Sequence, residues 1–375
     1  MIMSSEIQAR HTKLAGLMRH TGLDAAAFVP GPNLAYLTGV HFRMMERPII
    51  AFFPTVGDPA IVIPALEHSQ MARRASFDIR YFPYTDTEGH EPALEQACRA
   101  LGLAGKRLGV EGLKMRVLEG QLIQRFAPGC ALENADELLS GLRLHKDANE
   151  IAAMRRAIRA TELALERTVA AVRAGMTERQ IANILRTALA ESGGGEDAFE
   201  PVVLSGPNSA EPHGSISDRP VAEGELLLFD FGTKLDGYAS DLTRTFAVGT
   251  PDVAVIRIYE TVLAANEAAT RVAGPGVPAQ AVDRAARAVI TAAGYGEYFL
   301  HRTGHGLGLD IHEQPYIREG NSQVLEPGMV FTIEPGIYMP GVGGVRIEDD
   351  VLVTANGVEV LTAYPRALQV IGGVK

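Results

Sequence analysis

The sequence predicts an α/β (α+β) protein of two domains: a small mixed-sheet α/β unit over residues 1–140 and a larger unit over 145–375 whose element order repeats itself. Three observations carry this. A chain of 375 residues is long enough for two cores of ordinary size. Short apolar runs rich in β-branched residues alternate with helical patterns along its length. Between Leu138 and Asn149 the segment LLSGLRLHKDANE turns polar, and the boundary is placed there.

The first unit opens on a helical pattern from Ile7 to about His20. The strand candidates AAAFVP, RPIIAFFP, PAIVIP and KRLGVEG follow, short apolar runs set off by Pro or Gly. Past the boundary, Ile151, Met154, Ile158, Leu163, Leu165 and Val169 recur near helical spacing, which predicts a helix from about Ala148 to Arg173. Thr177 and Gln180 form a capping box that starts the next helix. After residue 195 the pattern changes to strands and Gly-rich loops, returns to helices at 252–273 and 278–293, and ends in strands. Two similar halves follow from this order alone, since no sequence identity between them marks a repeat.

Composition narrows the function classes. A 46% hydrophobic content with mean hydropathy near zero reads as a soluble globular protein. No stretch approaches the roughly 18 uninterrupted apolar residues of a membrane helix. The richest run, Pro48 to Leu66, is broken by prolines, Gly57 and Asp58. The start MIMSSEIQARHT lacks a basic segment followed by an apolar one, so a cytoplasmic protein is expected. A formal net charge of −10 with no Lys/Arg block excludes a nucleic-acid partner and favours small substrates. Cys98 and Cys130 read as two buried thiols.

The informative residues are acids. In FDFGTKLDGYASD a two-residue turn at Asp236-Gly237 pairs 235 with 238, so 230 faces 243 and 232 faces 241. Asp230 and Asp241 then become diagonal neighbours on one face, about 7 Å apart, where two ionised carboxylates repel unless a cation lies between them. The segments MVFTIEPGIYM and VGGVRIEDDVLV repeat the arrangement: a loop centred on Gly341 puts Glu334 opposite Glu348. Four carboxylates with the imidazole of His305, from GHG, suit two divalent ions. Oxygen ligands favour Mn²⁺ or Mg²⁺, and mixed N/O ligands Co²⁺, Fe²⁺ or Zn²⁺.

Plainer readings compete. An Asp beside a DG turn is usually a solvated loop acid, but Asp230 follows the buried-looking run GELLLF, and an unpartnered buried carboxylate is costly. His301 lies four residues before His305, yet the glycines at 304, 306 and 308 oppose a helix, so it reads as a supporting residue. Those glycines have neither the spacing nor the βαβ frame of a dinucleotide fingerprint. Asp349 and Asp350 are expected to be solvated or hairpin-end acids. Arg346, on the same strand face as Glu348, is expected to orient that carboxylate or a substrate carboxylate.

The motifs SGPNSAEPHG, FDFGTKLDGYASDLTRTF, HRTGHGLGLDIHEQP, FTIEPGIY and GGVRIEDDVLV, spanning Ser205 to Val353, resemble those of Xaa-Pro aminopeptidases, prolidases and methionine aminopeptidases. PNLAYLTGV at 32–40 resembles the N-terminal domain of the Xaa-Pro members. The resemblance implies a creatinase/prolidase-like first domain and a pita-bread catalytic domain with pseudo-twofold halves. It makes Asp230 a ligand of the first metal, Asp241 and Glu348 bridging ligands, and His305 and Glu334 ligands of the second. It also implies that Glu334 handles the proton of a hydroxide bridging the ions, while His213 and His312 contact the substrate carbonyl or oxyanion. The implied activity is hydrolysis between an N-terminal residue and a following proline, from a dipeptide or a longer peptide. The implied cofactors are two ions, Mn²⁺ or Co²⁺ before Zn²⁺ or Fe²⁺, and the implied assembly is a homodimer. An Xaa-Pro bond lacks the amide N–H that sites gripping an extended strand require, which is the physical reason for a dedicated enzyme. A relative acting on another small amide, and a binding protein on the same fold, are the alternatives.

Overall fold

A computed structural model describes residues 4–372. The chain divides into two compact units, Met1–Arg143 and Leu144–Lys375.

The first unit is built on a six-stranded mixed sheet, in the order Arg80–Tyr84, Ala60–Pro64, Ile50–Pro54, Ala25–Phe28, Arg107–Val110, Ala131–Asn134. Ala25–Phe28 is central and buried at all four positions, pairing antiparallel with Ile50–Pro54 and parallel with Arg107–Val110. A strand with no exposed face must be apolar throughout, which is why AAAF was readable. Arg80–Tyr84 and Ala131–Asn134 were not foreseen. They are the two sheet edges, where RYFPY and ALEN leave most positions at least partly exposed and carry no continuous apolar run. The polar segment at 138–150 also hides a helix, Asp136–Arg143, that buries Leu139 and Leu142.

The second unit shows the repeated order. Helices Ala148–Ala171 and Glu178–Glu191 precede a four-stranded sheet, and helices Val253–Val272 and Ala279–Ala292 precede a five-stranded one. Thr177 caps its helix with the expected box, and Asp147 with Glu150 forms a second box on the preceding helix. Each helix pair covers its own sheet. Leu165, Ile181 and Leu185 pack with Phe229 and Phe246, whereas Ile258, Val262, Val282 and Ile290 pack with Phe331, Val351 and Val353.

Each half contains a hairpin that breaks midway. In the first, Asp236 (φ 52°) and Gly237 (φ 86°) form the turn, and Leu235 pairs with Tyr238. The same register continues in strands Leu226–Phe231 and Leu242–Val248, where Asp230 pairs with Thr243 as the turn predicts. Between these two ladders, Gly232 passes so close to Ser240 that a Cβ would lie 1.8 Å from its carbonyl oxygen. In the second, Gly336–Met339 pairs with Gly343–Arg346, and Val330–Ile333 pairs with Asp349–Thr354 in the same register. Glu334 and Glu348 fall in the gap between those ladders, at matching positions.

Candidate metal centre

A gap in a ladder frees backbone groups to bond elsewhere, and here they bind the hairpins to their surroundings. The Glu334 N–H donates to Thr303 O (2.8 Å), and the Glu348 N–H donates to Thr243 O (3.1 Å). Asn266, on helix Val253–Val272, donates to the carbonyls just before each acid, Ile333 O at 3.1 Å and Ile347 O at 3.2 Å. In the other half, Thr161 of helix Ala148–Ala171 shares a 2.7 Å hydrogen bond with Ser240, the residue before Asp241. A helix side chain thus braces the residue next to an acid in both halves, through backbone carbonyls in one and a serine hydroxyl in the other.

The acids converge. Ligand atoms of Asp241, His305 and Glu348 lie within 4.8 Å of one another, and all three residues are buried. Glu334 Oε1 lies 3.3 Å from His305 Nε2, and Asp241 Oδ2 lies 3.7 Å from the same nitrogen. His305 Nδ1 faces Gly306 O at 3.1 Å and is its donor, leaving the Nε2 lone pair turned toward the acids. Thr243 donates to Glu348 Oε2 at 2.5 Å, and Thr332 donates to Glu334 Oε1 at 3.2 Å. Asp230 lies in the same cavity but faces Arg346, with which it forms an ion pair.

Arg346 is the ion-pair partner of an acid of the site, Asp230. It does not bond Glu348 directly; its Nε donates to Thr243 Oγ1 (2.9 Å), so it steadies that acid through the threonine. Its Nη1 donates to Tyr338 (2.7 Å) and its Nη2 to Asp230, so each of its three nitrogens has a partner within the site. Tyr338 in turn meets His301 Nε2 at 2.8 Å, and His301 Nδ1 meets Arg302 O at 2.7 Å. His301 is therefore part of the cavity wall, as a supporting residue. Tyr338 is the residue sequence reasoning missed. Positions 334, 336 and 338 share strand parity, and Gly336 makes room for the phenol, since a Cβ there would lie 2.6 Å from its oxygen.

Asp349 and Asp350 are a correction: both are wholly buried, not solvated. Asp349 pairs with Arg244 at 2.7 Å and Arg366 at 2.7 Å, while Asp350 accepts the Asp241 N–H at 3.2 Å. Distant arginines supply the countercharge that local sequence could not reveal.

The electrostatics mark strain. Burial, then the charges of Glu348 and Asp230, hold the Asp241 carboxyl well above the usual carboxylate range. Burial, then Glu334 and Asp230, does the same to Glu348. Burial pushes Glu334 up to about 7, with Asp230 adding to it against the pull of Arg346. His305 is pushed well below the histidine range by burial and then by His312, whose ring centroid is 4.1 Å away. Burial and then Arg302 lower His312. Asp241 Oδ1 is buried without a hydrogen-bond partner among the described residues. An orphaned carboxylate oxygen, three further acids and an imidazole lone pair form a donor set that fits divalent cations, whose charge would relieve the repulsion.

These residues line a cavity of about 930 Å³, a volume suited to a small ligand. His213 and His312 are on its wall, as expected; His213 is exposed and makes no hydrogen bond to a described residue. Arg179, Arg186, Arg302, Phe199 and Ile311 complete the wall on the other sides. No helix among the described residues is long and apolar enough to cross a membrane.

Comparison with known proteins agrees with this geometry. The description Metallopeptidase family M24 matches residues 152–355, and Creatinase/Prolidase N-terminal domain matches residues 10–145. The chain is similar to a recombinant prolidase from Thermococcus sibiricus, at 36% identity and a TM-score of 0.92 over 97% of this chain and 99% of that one. It is equally similar to dipeptidase PepE from Mycobacterium ulcerans, at 36% identity and a TM-score of 0.92 over 99% of each chain. An Xaa-Pro dipeptidase from Bacillus anthracis matches at 30% identity and a TM-score of 0.89, covering 97% of this chain and 100% of that one.

Proposed function

Because the chain belongs to metallopeptidase family M24, we propose that it is an Xaa-Pro dipeptidase, a metal-dependent hydrolase of the bond between an N-terminal residue and proline. The observation that carries this reading is the convergence of Asp241, His305 and Glu348 donors within 4.8 Å in a cavity of small-ligand size. The names prolidase and Xaa-Pro dipeptidase borne by similar structures support the substrate class.

Asp230, Asp241, His305, Glu334 and Glu348 would hold two divalent ions, Mn²⁺ or Co²⁺ by the oxygen-rich donor set. When bound, such ions supply Lewis acidity toward the scissile carbonyl and acidify water. Glu334 takes up a proton at a carboxylate oxygen and returns it to the leaving proline nitrogen, a role its place on the cavity wall beside His305 supports. His312 and His213 donate hydrogen bonds to the substrate carbonyl as it becomes an oxyanion. Arg346, fixed by Asp230, Tyr338 and Thr243, keeps the acids in register. We place the protein in the cytosol as a homodimer.

The test is hydrolysis of Gly-Pro against a Gly-Pro-extended tripeptide, with Mn²⁺ or Co²⁺ supplied. A dipeptidase releases glycine from the first and leaves the second largely intact, and chelator abolishes turnover. Cleavage of the tripeptide alone would make it an aminopeptidase, and inertness toward both would move it to another amide.

A further inference from the structure

His213 lies on the cavity wall with no hydrogen bond to a described residue, so its imidazole stands wherever its backbone puts it. That backbone is a loop over residues 205–217, which runs from the end of strand Val202–Ser205 through the short 3-10 turn Gly206–Ala210 to Ser217. Both ends of the loop are held by one carboxylate. Glu178, the first residue of helix Glu178–Glu191, is wholly buried. Its Oε1 accepts the Ser205 N–H at 2.7 Å and the Ser205 hydroxyl at 3.0 Å; its Oε2 accepts the Ser217 N–H at 3.0 Å and the Ser217 hydroxyl at 2.6 Å. Asn208, inside the loop, donates to both oxygens, at 3.2 and 3.3 Å. Only an acid fits, because the two main-chain N–H groups cannot turn away and an amide could accept from just one of them. The middle of the loop has a separate tie: Ser209 Oγ accepts the Gly344 N–H at 2.8 Å, from the hairpin strand that leads toward Glu348. Residues 210–216 are left between the Ser209 and Ser217 ties, with His213 at their centre. Their backbone hydrogen bonds are local, Glu211 N–H to Asn208 O at 3.1 Å and Gly214 N–H to Glu211 O at 3.0 Å.

We propose that Glu178 is a positioning residue for the hydrolysis: by tying Ser205 to Ser217 it holds the His213 imidazole where the substrate carbonyl becomes an oxyanion. The inference rests on the role given to His213 above. Glu178 is not itself on the cavity wall, so it acts through the loop. A hydrogen bond that stabilises developing charge must be in place before the charge appears, and a segment tied at one end only would let the imidazole wander. Burying a carboxylate is costly unless its lone pairs are filled; here the loop fills them, so loop and carboxylate hold each other. The other half has a counterpart. Asp283, on helix Ala279–Ala292, is wholly buried and accepts the N–H (3.0 Å) and the hydroxyl (2.8 Å) of Thr303, two residues before His305.

The experiment is a double-mutant cycle in the Mn²⁺-loaded protein, on Gly-Pro or the extended tripeptide, whichever the wild type cleaves. Its members are wild type, Glu178→Gln, His213→Ala and the pair. His213→Ala should lower kcat by about 100-fold. Glu178→Gln sets an amide N–H against a backbone N–H at one loop end; kcat and kcat/KM should fall together by about 10-fold with KM little changed, the pattern of an interaction made only in the transition state. In the His213→Ala background the same change should cost less than about 2-fold, because the group it positions is gone. Ser217→Ala, which deletes one donor and keeps the carboxylate, should show a smaller loss with the same dependence on His213, and it decides the outcome should Glu178→Gln not fold. Metal content and Tm are measured for every variant. A merely structural acid would lower Tm and cost the same factor with or without His213, and that result overturns the assignment of Glu178, as does a wild-type kcat in Glu178→Gln. A wild-type kcat in His213→Ala overturns the role of His213 and the proposal with it.

Discussion

Asp241 shows what a single side chain contributes and costs. It is buried beside Glu348, its Oδ1 has no partner, and its backbone N–H is already given to Asp350. Such a group is tolerable as an anion only next to a cation, so a role in metal binding would carry the opposite sign to its effect on stability. Asp241→Asn should lower bound metal, measured by atomic emission, and reduce hydrolysis of Gly-Pro by at least about 100-fold. In chelator the same variant should melt no lower than wild type, because one of the mutually repelling charges is gone; a markedly lower Tm would mean that Asp241 is a structural acid. The identity of this residue was legible because two turns, Asp236-Gly237 and the loop at Gly341, fix strand parity, and parity decides which acids can meet. Asp349, Asp350 and Tyr338 were not legible. Their partners, Arg244 and Arg366 for Asp349, the Asp241 N–H for Asp350 and Arg346 for Tyr338, come from elsewhere in the chain or are set by packing, and nothing within a few residues announces them.

At the level of elements, the site is made by interrupting hairpins rather than extending them. Continuous ladders would tie the backbone of Glu334 to that of Glu348; the gap instead lets each donate elsewhere, to Thr303 and Thr243. The cost is a pair of carbonyls needing donors, which Asn266 supplies. Asn266→Leu leaves both unpaired in a buried place and should destabilise the protein by about 1–3 kcal/mol for each acceptor left unsatisfied, read from urea unfolding. Gly304→Ala should be worse. A Cβ there would lie 1.8 Å from the Thr332 carbonyl oxygen, so either strand must move and take His305 with it. The expected result is loss of metal binding even where folded protein is recovered, seen as a smaller metal-induced rise in Tm than in wild type. The elements themselves were readable wherever burial demands a pattern, as in AAAF or the capped helices. They were unreadable at sheet edges such as Arg80–Tyr84, where half-exposure permits almost any sequence.

Over the whole molecule, the raised carboxyls and lowered histidines make stability depend on pH and on metal together. Histidines held neutral by burial, with His301 at about 4 and His305 well below its ordinary range, are protonated in the unfolded chain below about 6.5. Their contribution is lost as pH falls from there, and above 6.5 it is constant. The acids act with the opposite sign. Glu334 titrates near 7 in the fold and near 4.5 when unfolded, so the stability it provides is complete below 4.5 and is lost as pH rises to about 7. Asp241 and Glu348, held higher still, extend the loss upward. Between pH 6.5 and 8 the slope comes from raised acids, these three together with Asp350 and with Glu111, which burial pushes up to about 7, and the chelated protein should lose Tm steadily across that interval. Divalent ions need those carboxyls deprotonated and neutralise them once bound, so the metal-loaded protein should show a nearly level Tm, and the increment from added Mn²⁺ should grow with pH. Differential scanning calorimetry with and without EDTA measures both curves. A level curve in EDTA would mean that the four carboxylates share their burial without strain, and the argument for a cation among them would lose its energetic basis.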